Sequence, residues 1–194
     1  MDSKTLDAYS KLAEEYSQDW LSQPEPTDMY QLLEKYFIKN GTTADIGCGN
    51  GCDANWMSKN GFKVSGFDSS AELIALATKN FPEVPFQRAF LPKLSEIQTQ
   101  FENVLCETVI MHLSQDQISE AITNLKRIVK KDGRIYLSWR VTENTDARHQ
   151  DGRLYSAFGS DFVLKEFPKS SVLHFEDVKS LSSGKRICRL ICKL

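Results

Sequence analysis

The chain has 194 residues, 41% of them hydrophobic and 26% charged, which supports one domain with a sizeable core. A formal net charge of −2 supplies no long-range field for a polyanion, so nucleic acid is not a favoured partner. The N-terminus MDSKTLDAYS has no charged-then-apolar leader, and no apolar run approaches the ~18 residues of a membrane span, so a cytoplasmic protein without a membrane contact is expected.

In chain order, Leu6, Tyr9, Leu12, Ala13, Tyr16 and Trp20 recur at helical spacing and predict one helix from Leu6 to Leu21. QPEPTD breaks the chain, and Thr27 or Asp28 caps a second helix, Met29 to Phe37. The short apolar run TADI leads into GCGNG, followed by a helix from Asp53 to Asn60. FKVSGFD, Phe62 to Asp68, is a second strand with an acidic end, and Ser69 or Ser70 caps a helix reaching Lys79. VPFQRAF reads as a third strand, Leu94 to Gln100 as a short helix, and Val104 to Thr108 as a fourth strand. An amphipathic helix from Gln115 to Val129 precedes a fifth strand, RIYLSWRV. Its basic pairs, Lys126-Arg127 and Lys130-Lys131, read as a solvated face.

The alternation of strand and helix predicts a parallel sheet with helices on both faces. The tail breaks the pattern. VLHFEDVKSL and RICRLICKL, joined by SSGK, read as an antiparallel hairpin at the sheet edge.

The five cysteines are an odd number. Cys48 and Cys52 are separated by three residues, not the two of a zinc knuckle, and Cys188 and Cys192 share one face of a strand. Buried thiols are expected and no metal site.

The stretch TTADIGCGNGCD places a glycine loop between a strand and a helix, where small residues let a ligand approach and a helix N-terminus offers free amides. The pattern is G-x-G-x-G, and the third glycine falls one position short of the dinucleotide fingerprint G-x-G-x-x-G. Asp68 ends the second strand about 20 residues after the first glycine, where a carboxylate can accept both hydroxyls of a ribose.

Asp45-Ile-Gly-Cys-Gly-Asn-Gly51, Gly66-Phe-Asp68, Val104 to Leu113 and Lys131 to Leu137, taken in this order, resemble a class I S-adenosylmethionine-dependent methyltransferase of the small-molecule type. The resemblance implies a Rossmann-like three-layer α/β sandwich. Its seven-stranded, mostly parallel sheet has an antiparallel C-terminal hairpin at one edge. It implies a helical cap over residues 1–40, integral to the domain, and a cofactor-binding core over 41–194. It implies S-adenosylmethionine as cofactor and S-adenosylhomocysteine as product. Cofactor contacts carried over are Asp45, Gly47, Cys48, Gly49, Gly51, Asp68, Ser69, Cys106, Glu107 and Thr108. Tyr9, Tyr16 and Trp20 of the cap would close over the reacting sulfonium, or serve as helix core.

The third strand departs from the family. Many members carry an acid there for the adenine amine; here the sequence is Gln87-Arg-Ala-Phe-Leu-Pro92, and Phe90 or Leu91 is expected to pack on adenine instead. His112 is the candidate base, with loop support as its alternative role. Arg140, Arg148, Arg153 and Tyr155 follow the fifth strand and suggest a small anionic acceptor, since guanidinium groups pair with carboxylate or phosphate. The expected assembly is a monomer or homodimer. An NAD(P)-dependent oxidoreductase and a non-catalytic cofactor-binding module acting through a partner stay open as alternatives.

Overall fold

The computed structural model describes residues 2–142 and 145–194; Met1, and Glu143 and Asn144 within the arginine-bearing connection, lie outside the described residues. The cap starts with two helices, α1 (Ser3–Lys11) and α2 (Ala13–Ser22). The sequence predicts one. The turn at Leu12, with φ −109° and ψ 23°, leaves helical geometry, although Leu12 N still bonds Ala8 O and Tyr16 N bonds Leu12 O. No glycine or proline marks the kink, so the helical period runs through it unbroken. Asp2 caps α1, its Oδ2 accepting from Thr5 N at 2.9 Å and Thr5 Oγ1 at 2.8 Å. α3 (Thr27–Tyr36) follows the prolines.

The core then runs β1 (Thr42–Ile46), α4 (Cys52–Lys59), β2 (Lys63–Asp68), α5 (Ala71–Asn80), β3 (Phe86–Arg88), β4 (Phe101–Cys106), α6 (Gln115–Arg127) and β5 (Val129–Arg140). Beyond it come the short pair β6 (Ala147–Arg148) and β7 (Leu154–Tyr155), α7 (Ser160–Leu164), and the edge hairpin β8 (Val172–Lys179) and β9 (Arg186–Lys193). The main sheet has the order β3-β2-β1-β4-β5-β9-β8; β1 to β5 are parallel, and β9 is antiparallel to both β5 and β8. This is the expected seven-stranded, mostly parallel Rossmann-like sheet with its reversed edge.

Alternate residues of each strand supply two cores, as the two-residue strand period requires. Val104, Cys106, Ile135, Leu137, Trp139, Cys188, Leu190 and Cys192 pack with Ile118, Ala121, Ile122 and Leu125 of α6 on one face. Leu105, Tyr136 and Ile191 pack on the other with Met29 and Leu33 of α3 and Met57 of α4. Each fully buried Leu or Ile contributes about 1.5–3 kcal/mol.

Residues Leu94 to Gln100 are not a helix. Leu94 has φ 47°, which a right-handed helix cannot include, and the Arg127 guanidinium takes the carbonyls of Leu94 and Ile97. β4 starts earlier than expected because Phe101 pairs with Val129, which also starts β5 early and ends α6 at Arg127. The β6–β7 pair and α7 had no expected counterpart.

Candidate functional site

The parallel strands end at an open cavity, the end of the sheet at which folds of this kind bind ligands. Ile46, Gly47 and Gly49 form its floor. Gly47 has φ 77°, and a Cβ there would collide with Val109 Cγ2; Gly49 has φ 54°, and a Cβ would stand 2.9 Å from the Trp20 ring. Both positions therefore require glycine. The same clash shows how closely the cap sits: Trp20 of α2 lies directly on the loop. Asn50 Nδ2 fastens α2 further, donating to Ser17 O and Ser17 Oγ at 3.2 Å each.

Asp68 and Ser69 form one wall. Asp68 Oδ2 accepts from Gly49 N at 3.0 Å and Oδ1 from Ser70 N at 2.9 Å. The Ser69 amide also bonds this carboxylate, and of its about four lone-pair sites one stays available to a ligand hydroxyl. Burial pushes the Asp68 carboxyl above its usual range, and the backbone N–H groups pull it back in part.

Glu107 and Thr108 form the opposite wall. Thr108 has φ 53°, a sparsely allowed conformation for a β-branched residue. Ser138 of β5 holds it there. The Thr108 amide donates to Ser138 Oγ at 2.8 Å, and Ser138 Oγ donates to Glu107 Oε2 at 2.5 Å. Burial pushes the Glu107 carboxyl up to about 7 against that Ser138 hydrogen bond.

Asp45 is 2% exposed, and its Oδ2 has no hydrogen-bond partner among the described residues. Burial, then the fields of Asp53, Asp68 and Glu107, raises it well above the carboxylate range. Asp53 is likewise raised by burial and receives the Tyr30 hydroxyl at 2.9 Å. Of these four carboxyls, Asp68 and Glu107 line the cavity, and Asp45 and Asp53 do not. A cation placed in front would lower them all. Asp68, an acceptor able to take a ribose hydroxyl, and Glu107 fit S-adenosylmethionine.

The roof is aromatic. Tyr9, Trp20 and His112 line the cavity. Tyr16 and Trp20 stack at 5.8 Å and 17°, and Tyr9 meets Tyr16 at 5.1 Å. The Arg153 guanidinium lies 4.7 Å from the Tyr16 ring centroid and 5.5 Å from that of Tyr9, anchored by Asp151 at 2.9 Å. Asp151 also receives the Tyr16 hydroxyl at 2.9 Å. Burial works against its ionisation, but the Arg153 contacts hold its carboxyl at about 2.

Arg140 stacks 5.1 Å from the Tyr155 ring, which stands against His112 at 4.8 Å. Among the described residues no carboxylate pairs with Arg140. Arg148 is committed elsewhere. It pairs with Asp2 at 2.8 Å and donates to Gly152 O at 2.6 Å, away from the cavity.

Several of the expected residues are thus gathered at the cavity: Tyr9, Trp20, Gly47, Gly49, Asp68, Ser69, Leu91, Glu107, Thr108 and His112. Tyr16, Arg153, Tyr155 and Arg140 support its rim. Cys48 and Cys106 are buried thiols behind it, and burial raises both. Gly51 opens α4 from φ 85°, and half-buried Phe90 turns to the Arg88 guanidinium at 5.0 Å. The sequence reading missed Leu73, Ala89, Val109 and Ser138. Only Ser138 had a usable signal: the parallel pairing of β4 with β5 sets Cys106 beside Leu137, and so the next residues together.

Residues 44–133 match the family model described as a methyltransferase domain. The chain is 25% identical over 185 residues to a ubiquinone biosynthesis O-methyltransferase of Coxiella burnetii, covering 88% of this chain and 74% of that one. A protein of the same name from Pasteurella multocida is 26% identical over 194 residues, covering 88% and 76%. Among solved structures, the Burkholderia thailandensis 1,6-didemethyltoxoflavin-N1-methyltransferase, with bound 1,6-didemethyltoxoflavin and S-adenosylhomocysteine, superposes with a TM-score of 0.78. It is 15% identical, covering 98% of this chain and 87% of that one. The magnesium protoporphyrin IX methyltransferase of Synechocystis, with bound S-adenosylmethionine, gives 0.74 at 16% identity, covering 99% and 98%. The oxidoreductase alternative falls with these matches. The chain thus carries a methyltransferase domain, residues 44–133, on a Rossmann-like methyltransferase fold with a glycine loop and a reversed edge strand.

Proposed function

We propose that the chain methylates a small acceptor bearing an anionic group, in the cytoplasm, and that the methyl group goes to oxygen. The observation that carries the acceptor's charge is Arg140. It is a guanidinium stacked on Tyr155 beside the cavity, with no carboxylate partner among the described residues. Arg153 on the same rim is already paired with Asp151. Oxygen as the acceptor atom is favoured by the relatives named O-methyltransferases. Five free cysteines suit a reducing compartment.

S-adenosylmethionine, when bound, supplies a methyl group activated by its sulfonium. The chain's own part is alignment and exclusion of water. Asp68 would hold a ribose hydroxyl, and Gly47 and Gly49 would let the loop run beneath the ligand. Tyr9, Tyr16 and Trp20 would close over it, their ring faces suited to a positive centre.

A hydroxyl acceptor has a proton to lose. His112 is poorly matched to take it. Burial pushes its imidazole down to about 4, and its Nε2 already faces the Tyr9 hydroxyl at 2.9 Å. We assign His112 to holding Tyr9 in place. Glu107 is better matched: it lines the cavity, is fixed through one oxygen by Ser138, and has its carboxyl raised to about 7.

The test is a screen of carboxylated and phosphorylated phenols and alcohols with isotope-labelled S-adenosylmethionine, read by mass spectrometry, on wild type and Arg140→Ala. The expected result is labelled product from an anionic acceptor, with KM raised about tenfold or more in the variant. Turnover confined to neutral acceptors, or unchanged in Arg140→Ala, would remove the anionic reading.

A further inference from the structure

The wall that carries Glu107 is backed by a buried cation. Leu105, Tyr136 and Ile191 are register partners across β4, β5 and β9 and share the core against α3 and α4. Strand side chains alternate between faces, so two residues further toward the cavity Glu107, Ser138 and Arg189 follow on that same face. Ser138 pairs with Arg189 across the β5–β9 ladder, and its hydroxyl holds Glu107 Oε2 at 2.5 Å. The three form one row at the end of the sheet, and Glu107 is the member that lines the cavity.

The Arg189 side chain is 2% exposed. Its Nη2 donates to Asp28 Oδ2 at 2.7 Å, in the first turn of α3, and its Nη1 to Glu176 Oε1 at 3.0 Å, on β8. Nε is buried and has no hydrogen-bond partner among the described residues. Asp28 and Glu176 are partly exposed, and Glu176 also faces His174 at 3.2 Å. A buried ion triad adds little stability over apolar side chains of the same volume. Its guanidinium still acts on its neighbours, because charge removed from water is weakly screened.

Glu107 has use for such a neighbour. Facing it are two acids, Asp45 from β1 and Asp53 from α4, the hydroxyls of Tyr136 and Ser138 from β5, and Arg189 from β9. Burial and the field of Asp53 oppose its ionisation, whereas the two hydroxyls and the field of Arg189 favour it. A carboxyl that takes a proton from an acceptor must first be ionised.

We propose that Arg189 is a positioning residue for Glu107: from the sheet edge it supplies the countercharge that lets Glu107 stand as a carboxylate at the cavity. The inference rests on the reading of Glu107 as the group that receives the acceptor's proton, and concerns how the fold readies it.

The experiment is a pH titration of the intact chain, its glutamates labelled with carbon-13 at the side-chain carboxyl and followed by nuclear magnetic resonance, with Glu107→Gln to assign the signal. It needs neither cofactor nor acceptor. In wild type the Glu107 midpoint is expected at about 7. In Arg189→Met it is expected to rise by about one pH unit or more, and Arg189→Lys, which keeps the charge, should return it to within about half a unit of wild type. Direction separates this role from a structural one. Burial holds the carboxyl up, so a variant that merely loosened the packing would admit water and bring the midpoint down toward 4.5. An unchanged or lowered midpoint in Arg189→Met would therefore overturn the proposal. If Arg189→Met, with Asp28 and Glu176 left unpaired, does not fold, adding Asp28→Asn and Glu176→Gln removes the orphaned charges, and the same rise or its absence decides. Undiminished turnover by Glu107→Gln would overturn the reading of Glu107 as base, whatever the titration shows of Arg189.

Discussion

The Tyr9 hydroxyl stands 2.9 Å from His112 Nε2, while His112 Nδ1 stands 2.6 Å from the Leu154 carbonyl. A carbonyl only accepts, so Nδ1 carries the proton and Nε2 receives that of Tyr9. One neutral imidazole thus ties the cap helix α1 to β7. Tyr9→Phe leaves a buried nitrogen unpaired and is expected to cost about 1–3 kcal/mol, read from urea unfolding. A loss below a few tenths would show that the bond has no weight in the fold.

Glu107 and His112 respond to pH in opposite directions. The folded pKa of Glu107 is raised to about 7 from 4.5 by burial. Its stabilising protonated form is fully present below 4.5, and its contribution is lost as pH rises through 7. The folded pKa of His112 is lowered to about 4 from 6.5, again by burial, so its contribution is present above 6.5 and lost as pH falls through 4. Replacing Glu107 isolates one slope. Glu107→Gln is expected to gain on wild type between pH 4.5 and 8, by about 2–3 kcal/mol after allowance for the open cavity. Parallel stability curves across that range would contradict the raised carboxyl.

Asp68→Asn keeps the shape of the side chain but replaces one acceptor oxygen with an amino group facing the Gly49 or Ser70 amide. Both the loop and the hydroxyl site lose a charged acceptor. Calorimetry should show S-adenosylhomocysteine binding about a hundredfold or more weaker, the loss expected for charge-assisted bonds of about 1.5–3 kcal/mol each. Retained affinity would place the ribose elsewhere.

Gly49→Ala tests the fit of cap to loop. It pays twice, for a left-handed φ of 54° and for a methyl 2.9 Å from the Trp20 ring. Destabilisation of about 1–3 kcal/mol is expected by thermal unfolding, and Trp20→Ala in the same chain should relieve only the steric part. Full relief would mean that the backbone conformation carries no strain.

The order of elements and the glycine loop were legible because both leave local traces. Continuous apolar runs such as Val104 to Cys106, and the i, i+3, i+4, i+7 pattern of Ile118, Ala121, Ile122 and Leu125, are written in neighbouring residues. Asp68 was legible because its spacing from Gly47 follows from one strand–helix–strand unit. Long-range pairings were not. Nothing near Leu94 announces that Arg127 takes its carbonyl, and nothing near Arg148 announces Asp2. The arginines from the end of β5 onward look alike in sequence, yet Arg148 is tied to Asp2, Arg153 to Asp151, and Arg140, among the described residues, to an aromatic ring without a carboxylate. Side-chain partners decide which of them faces a ligand.

The cap's fastenings also set an order of events during synthesis. Asp2 pairs with Arg148, Thr5 Oγ1 receives the Leu154 amide, and Tyr16 donates to Asp151. The α1–α2 segment is thus secured by one that emerges about 140 residues after it, roughly ten seconds later at ordinary elongation rates. Until then α1 and α2 have the glycine loop and α5 to rest on but no latch. Such distant closures are slow steps in folding. A nascent chain halted before residue 148 would carry the glycine loop and Asp68 without the fastened roof of α1 and α2, so closure of the cavity waits for the segment after β5.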